Sequence, residues 1–188
     1  MLLERCEPGL PLSGIEPARA IDVVTGLLPR SWVPAASEFR SLADEASDLM
    51  QEMWAHWERT GRTVDERLIR AAAEAFDVVV GTQGEQVIVN QDLHAENILS
   101  ARREPWLVID PAPLAGEREF GAASIVRGGE LGHSREAVLY RLDRVSAALG
   151  LDRERVRLWT IAHTAAWGFS VSPLEGHMDV VSWLLDAA

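Results

Sequence analysis

The length, composition and charge of this sequence exclude several classes of protein. Its 188 residues, 47% hydrophobic and 25% charged, are typical of one globular domain and exclude a disordered or fibrous chain. The formal net charge of -11 argues against non-specific binding to nucleic acid and favours cationic partners, and the absence of lysine excludes a lysine nucleophile within this chain.

Most of the chain has the apolar periodicity of helices, interrupted by capping residues and glycines. The predicted helices cover, in chain order, residues 17–28, 41–56, 63–81, 134–149, 152–169 and 174–185. Ser41 and Asp152 are predicted caps, and Gly150 ends the fourth helix. The third helix is predicted to begin at Thr63, because Glu66 then occupies the capping-box position. His163 falls inside an apolar helix and is interpreted as a core histidine rather than a ligand.

Strand character is confined to a few short runs that are rich in apolar and β-branched residues. These runs are residues 2–6, 86–89, 97–99 and 106–109. Pro8 and Gly9 end the first run. The predicted fold class is therefore mainly α with a few short strands (α+β), in a single domain.

The densest polar cluster lies at the ends of these strands. Asp92, His94 and Asn97 follow the second run, and Asp110 follows the last. Asn and Asp supply hard oxygen ligands suited to Mg²⁺, while a further carboxylate can orient a hydroxyl. Phosphoryl transfer needs this inventory, because metal ions neutralise the phosphates and a carboxylate positions the attacking group. A cluster that only caps a loop is the alternative for an isolated Asp-x-His-x-x-Asn.

The pattern Asp92-x-His94-x-x-Asn97 followed by Ile109-Asp110 resembles the catalytic and metal loops of kinase-like aminoglycoside phosphotransferases. Further segments look like the streptomycin and hydroxyurea phosphotransferase branch of that family. These segments are residues 2–9, 103–111 and 116–120, so the resemblance covers nearly the whole chain. Asn90-Gln91 departs from the His-Gly that most aminoglycoside phosphotransferases carry before the catalytic aspartate.

The resemblance implies a protein-kinase-like carboxy-terminal lobe. Residues 1–9 would be a hinge strand and linker, and residues 10–188 a helical lobe with its catalytic and metal loops at 90–111. The amino-terminal lobe, with its phosphate-covering loop and strand lysine, would be absent from this sequence. Two functions stay open: an active phosphotransferase, or a lobe that binds a drug or nucleotide without catalysis.

The resemblance also implies a role for each matched polar residue. Asp92 would orient or deprotonate the acceptor hydroxyl, and His94 would contact the transferring phosphoryl group or brace the loop. Asn97 and Asp110 would hold Mg²⁺ against the phosphates of ATP. A metal-dependent hydrolase built on Asp92, His94 and Asp110 is a weaker hypothesis, because zinc sites usually need more histidine ligands.

By the same resemblance, the nucleotide would lie between the hinge and the short strands. The backbone of Glu4 to Cys6 would hydrogen-bond the adenine edge, and Leu99 and Ile109 would lie under the ring. The implied reaction moves the ATP γ-phosphate to an alcohol group of a streptomycin-like aminoglycoside, or to hydroxyurea, in antibiotic resistance or secondary metabolism.

The expected partners are a small cationic acceptor and other copies of the chain, but neither nucleic acid nor a membrane. Contacts between copies are expected through the apolar face near Leu2, Leu99 and Ile109, which the other lobe would normally cover. Cys6 is the only cysteine, which excludes an internal disulfide and agrees with a reducing compartment. No apolar run reaches the roughly 18 residues of a membrane span, so we expect a cytoplasmic protein.

Overall fold

The computed structural model describes residues 5–169 and 174–187. The described α-helices are α1 (Pro17–Leu27), α2 (Leu42–Arg59), α3 (Glu66–Gly81), α4 (Ala123–Arg127), α5 (Arg135–Leu149), α6 (Arg153–Gly168) and α7 (Leu174–Leu185). The described strands are β1 (Val87–Asn90), β2 (Ile98–Ser100), β3 (Trp106–Val108) and β4 (Pro113–Gly116). Within these ranges, no helix combines the length and the apolarity that crossing a bilayer requires.

The helix boundaries follow local capping chemistry. The side chain of Ser41 accepts the N–H of Ala43 at 3.0 Å and starts α2 as predicted. Gly150 ends α5 with a left-handed φ of 63°, which glycine adopts without a steric cost. The last helix begins and ends at the predicted residues, 174 and 185.

The predicted start of α3 at Thr63 is wrong by three residues. The helix begins at Glu66, because the Asp65 carboxylate accepts the N–H of Arg67 at 2.9 Å and acts as the cap. The Glu66 carboxylate does not complete a capping box but accepts a hydrogen bond from the Arg70 Nε at 2.7 Å. Thr63 and Asp65 are both candidate caps, and the Asp65 side chain is the one that caps the helix.

The four strands form two small antiparallel sheets, one of β1 and β4 and the other of β2 and β3. Strand β4 and the five-residue helix α4 were not predicted from the sequence. The strand contains Pro113 and Gly116, which are depleted in strands, and the helix has no side-chain cap. Leu2, Leu3 and Glu4 of the predicted hinge strand lie outside the described residues, while Arg5 and Cys6 have no regular secondary structure.

Helix α6 lies at the centre of the apolar core and packs against α2, α3, α4, α5 and α7. Trp159 in its middle is fully buried and makes edge-to-face contacts with Phe76 and Phe120, at centroid distances of 6.4 and 5.1 Å. Aromatic rings of this size contribute much of the apolar area buried on folding. The helical core is therefore a rigid support for the loops that connect the strands.

Candidate active site

Two loops carry the residues expected to act in catalysis and metal binding. Residues 91–97 connect β1 to β2, and residues 109–112 connect β3 to β4. Strand β1 pairs with β4, with Asn90 opposite Pro113, and β2 pairs with β3 at the other end of both loops. Because both ends of one loop are held next to both ends of the other, loop 91–97 and loop 109–112 face each other.

Backbone hydrogen bonds join the two loops directly. The N–H of Gln91 donates to the carbonyl of Ala112 at 3.1 Å, and the N–H of Ile109 donates to the carbonyl of Asn97 at 2.9 Å. Backbone groups that are paired in this way are held in place, since breaking them leaves polar atoms unsatisfied. The separation between the two loops is thus fixed at both ends.

Asn90 fastens both loops through one side-chain oxygen. Its Oδ1 accepts the N–H of Asp92 at 3.1 Å and the N–H of Ala112 at 3.0 Å. From the sequence, Asn90 is only a departure from the more usual histidine, and no role is predicted for its side chain. An asparagine at a strand end, two residues before Asp92, is the usual signal of such a turn.

Loop 91–97 brings three of the four predicted polar residues together. The Asn97 Nδ2 donates to the carbonyl of Asp92 at 3.1 Å and lies 3.5 Å from its Oδ2. The His94 Nε2 is 3.8 Å from the Asp92 Oδ1, which is too long for a hydrogen bond. The side chains of Asp92 and His94 are 29% and 31% exposed, so both are accessible to a small molecule.

Asp110 lies on the facing loop, directly after Ile109. Its backbone has a positive φ of 48°, which is uncommon for a residue with a side chain. Such a conformation costs on the order of 1 kcal/mol and persists where the surrounding structure imposes it, often at functional sites. The Asp110 side chain is exposed and, among the described residues, has no recorded hydrogen bond or ion pair.

The donor set of Asn97 and Asp110 fits magnesium better than zinc. The Asn97 Nδ2 already donates to Asp92, so its Oδ1 is the free ligand atom, next to a loop that offers a carboxylate. The described part of the chain holds no group of three or more His, Cys, Asp or Glu that could bind a metal alone. Mg²⁺ commonly uses one or two protein ligands together with water and substrate phosphates, whereas zinc needs three or four protein ligands.

Leu99 and Ile109 lie on the same face of the sheet formed by β2 and β3. Leu99 pairs with Leu107, and Ile109 follows Leu107 by two residues. Because side chains alternate between the two faces of a strand, the three residues share one face. Leu99 and Ile109 are half-buried there and form a partly accessible apolar surface.

The amino-terminal segment runs beside β2. The N–H of Gly9 donates to the carbonyl of Ser100 at 3.0 Å, and the N–H of Leu10 donates to the Ser100 Oγ at 2.9 Å. Cys6 precedes this contact and is half-buried, whereas Glu4 lies outside the described residues. The segment expected to act as a hinge thus approaches the sheet that carries Leu99.

Two residues that the sequence analysis did not assign to the site hold loop 91–97 on either side of Asp92. The Ser124 Oγ donates to the carbonyl of Gln91 at 2.6 Å. The Glu130 Oε1 accepts the N–H of Ala95 at 2.9 Å. These contacts join residues that are more than 30 positions apart, and no local pattern in the sequence indicates them.

Arg127 lies between these two residues and is partly buried. Its Nη1 is 2.5 Å from the His163 Nδ1, and its guanidinium lies 5.4 Å from the centre of the Trp167 ring. Burial lowers the pKa of Arg127 to about 10, an effect opposed by the charges of Asp92 and Glu130. Arg127 is therefore a cation at neutral pH.

His163 is a core histidine, as predicted, and it is neutral. Burial, followed by the charge of Arg127, holds its pKa well below the usual 6.5. A guanidinium can only donate, so the His163 Nδ1 must accept and the Nε2 must carry the proton. That Nε2 is buried without a hydrogen-bond partner in the described part of the chain.

The family of aminoglycoside/hydroxyurea antibiotic resistance kinases matches residues 1–171. The chain is 38% identical over 172 residues to the hydroxyurea phosphotransferase of Kitasatospora aureofaciens, covering 86% of this chain and 47% of that protein. It is 36% identical over 169 residues to the streptomycin 6-kinase of Streptomyces griseus, covering 86% and 55% respectively. The chain thus spans about half the length of these curated relatives.

Solved structures show the fold independently of sequence. The choline kinase of Streptococcus pneumoniae superposes with a TM-score of 0.71 at 13% identity, over 97% of this chain and 69% of that one. A thermostable aminoglycoside phosphotransferase, APH(4)-Ia, gives 0.54 at 16% identity, over 97% and 68%. The mostly helical fold with few short strands is therefore kinase-like, and the chain belongs to the aminoglycoside/hydroxyurea antibiotic resistance kinase family.

Proposed function

We propose that this chain forms the carboxy-terminal lobe of an ATP-dependent small-molecule phosphotransferase. The acceptor is an alcohol group of a streptomycin-like aminoglycoside, or hydroxyurea. The observation that carries the proposal is the pair of facing loops, with Asp92 and Asn97 on one and Asp110 on the other. The curated relatives named as a hydroxyurea phosphotransferase and a streptomycin 6-kinase support the choice of acceptors. Within this proposal, residues 1–9 act as hinge and linker and residues 10–188 as the lobe.

Asp92 is the proposed catalytic carboxylate. It accepts the proton of the acceptor hydroxyl while the hydroxyl oxygen forms a bond to the γ-phosphorus, and the bond from that phosphorus to the β–γ bridging oxygen breaks, so that ADP leaves. The hydrogen bond from the Asn97 Nδ2 to the Asp92 carbonyl supports this role by fixing the loop around the carboxylate. His94, 3.8 Å from Asp92, is placed to contact the transferring group or to brace the loop.

Asn97 and Asp110 are the proposed magnesium ligands. Their oxygen atoms match the preference of Mg²⁺ for hard ligands shared with a polyphosphate. When bound, the ion neutralises phosphate charge and orients the γ-phosphate. The exposed Asp110 carboxylate is free to serve, because no recorded hydrogen bond or ion pair occupies it in the described residues.

The adenine ring is proposed to lie on Leu99 and Ile109. Their shared, half-buried face of the β2–β3 sheet supports this placement. The backbone near Glu4 and Cys6 is proposed to hydrogen-bond the ring edge, and the contacts of Gly9 with Ser100 support the approach of this segment to the sheet.

Calorimetric titration with ATP and Mg²⁺ tests the proposal, followed by assays of product formation with streptomycin and hydroxyurea. Asp110→Asn should weaken binding of Mg²⁺–ATP by about tenfold or more, because the carboxylate is replaced by a neutral amide. Asp77→Asn is the control, since Asp77 is an exposed carboxylate on α3 outside both loops. Equal affinities in the Asp110 variant and the control would contradict the metal assignment.

A second candidate is a lobe that binds a drug or nucleotide without turnover. The observation that favours it is that this chain, which spans about half the length of the curated relatives it matches, does not itself contain the lysine that kinase-type sites pair with the α- and β-phosphates. Nucleotide binding that depends on Asp110, with no product from either acceptor, would select this candidate.

Contacts between copies of the chain are part of the proposal. Leu99 and Ile109 are half-buried within one copy, but Leu10 beside them is 62% exposed. Exposed apolar residues next to a partly covered face favour association. A chain that stays monomeric in sedimentation at high concentration would contradict this part.

A further inference from the structure

We propose that Arg127 is a positioning residue for Asp92: it joins the segment from Ser124 to Glu130, which hydrogen-bonds loop 91–97 on both sides of Asp92, to the central helix α6. The inference rests on the proposed function, because Asp92 is the proposed catalytic carboxylate there. Arg127 acts through the loop and does not need to touch the substrate.

Arg127 belongs to the segment from Ser124 to Glu130, which holds loop 91–97. Ser124 and Glu130 lie three residues before and after Arg127, and they hydrogen-bond the loop at Gln91 and Ala95. These contacts flank Asp92 on both sides, so the segment follows the loop across its length. Arg127 lies in the middle of this segment, and the charges of Asp92 and Glu130 oppose the lowering of its pKa by burial.

The rigid core orients the Arg127 guanidinium. The His163 Nδ1 accepts from the Arg127 Nη1, and the Trp167 ring lies 5.4 Å from the guanidinium. Both residues belong to α6, the central helix. Residues on a rigid element can hold a neighbouring group within the narrow geometry that catalysis needs.

The contact between Arg127 and His163 is a poor way to stabilise the fold. The His163 Nε2 is left buried without a described partner, which costs about 1–3 kcal/mol. Partial burial of the Arg127 charge is a further cost, and an apolar pair of similar shape would avoid both. The presence of an arginine here is therefore better explained by its place between the segment that holds loop 91–97 and α6 than by stability.

The chemical benefit follows from the charges that meet at the site. A catalytic carboxylate must work beside the negative phosphates of ATP, which repel it. A carboxylate whose loop is held firmly stays turned toward the acceptor despite this repulsion. Its orientation matters in the chemical step more than in nucleotide binding, so the benefit should appear in kcat more than in the KM for ATP.

Kinetics of Arg127→Met and Arg127→Lys test the proposal. We expect Arg127→Met to lower kcat by about tenfold or more while the KM for Mg²⁺–ATP changes by less than about threefold. Arg127→Lys should recover part of kcat, because lysine keeps the positive charge but lacks the planar guanidinium group. Arg157→Met is the matched control, since Arg157 is also an arginine packed into the core, on α6, but it bonds Glu154 and the carbonyl of Leu184.

A loss of kcat that is equal in the Arg157 variant, or that Arg127→Lys does not relieve at all, would overturn the proposal. Unchanged kcat in Arg127→Met would overturn it as well. These outcomes separate a positioning role from a general loss of stability.

Hydrogen exchange gives a readout that does not depend on activity. In Arg127→Met, the amides of His94 and Ala95 should exchange about tenfold faster relative to those of α3, and they should not do so in Arg157→Met. If the wild-type chain forms no product, the proposed function fails, and exchange alone decides the inference. Unchanged exchange at His94 and Ala95 would then refute the role of Arg127 in holding loop 91–97.

Discussion

Different interactions stabilise the helical core and the pair of facing loops. In the core, side chains such as Ile69 and Trp159 are fully buried, so stability comes from apolar area removed from water. In the loops, short polar side chains and backbone hydrogen bonds dominate, and Asp92 and His94 are about one-third exposed. Substitutions in the core should therefore change stability, whereas those in the loops should change chemistry at nearly constant stability.

Trp159→Ala should have the largest effect on folding. The ring is fully buried against Phe76 and Phe120, and its Nε1 donates to the buried carboxylate of Glu117. We expect the free energy of unfolding to fall by about 3–5 kcal/mol, measured by chemical denaturation. Trp106→Ala in β3 is the control from the loop region, where the half-buried ring should cost only about 1 kcal/mol. Similar losses in both variants would contradict the distinction between the regions.

The pH dependence of stability should reflect the protonation of His163, a core residue on α6 that contacts Arg127. Burial and the charges of Arg127 and His177 keep its folded pKa well below 6.5, so the unfolded chain takes up the proton first. Stability is fully present above pH 6.5 and should fall as the pH drops below it, by up to about 1.4 kcal/mol per pH unit.

His163→Gln tests this pH dependence, because glutamine can still accept from Arg127 but does not titrate. The part of the slope due to His163 should be missing in this variant when unfolding is measured between about pH 6.5 and 4.5. Nitrogen NMR of the wild-type ring should show the tautomer with the proton on Nε2. An unchanged slope, or a proton on Nδ1, would refute the interpretation of the Arg127 contact.

Asp92→Asn should have the smallest effect on stability and a large one on chemistry. The side chain is 29% exposed, so the free energy of unfolding should change by no more than about 1 kcal/mol. Under the proposed function, product formation with streptomycin or hydroxyurea should fall by about 100-fold or more, because the amide cannot accept the acceptor proton. A variant that keeps the wild-type rate would exclude Asp92 as the catalytic carboxylate.

The sequence predicted the helices well because their signals are local. The helix over 174–185 follows from apolar spacing alone, and Ser41 marks the start of α2. The error at Thr63 arose because Asp65 offers a competing cap nearby. Strand β4 could not be predicted, since it is specified by pairing with β1 and not by its own residues.

The residues of the candidate site, like the elements of the fold, could be predicted only where they lie close together in the sequence. Asp92, His94 and Asn97 lie within six consecutive residues, so the motif is visible in the sequence and the structure brings the three together. Arg127 is 35 residues from Asp92, and its relation to the loop depends on how α4 packs on α6. A single sequence contains no local pattern for such a contact, which only the fold creates.

The pairing of the two loops also constrains how the gene can change. Both loops end in the same two sheets, so a residue inserted or deleted in either must be absorbed within that short loop, or it shifts the register of β1 against β4 or of β2 against β3. A shift of one residue turns every following side chain to the opposite face of its sheet. Substitutions should therefore be tolerated in this region more readily than changes of length, which should collect in surface turns such as the one after α2.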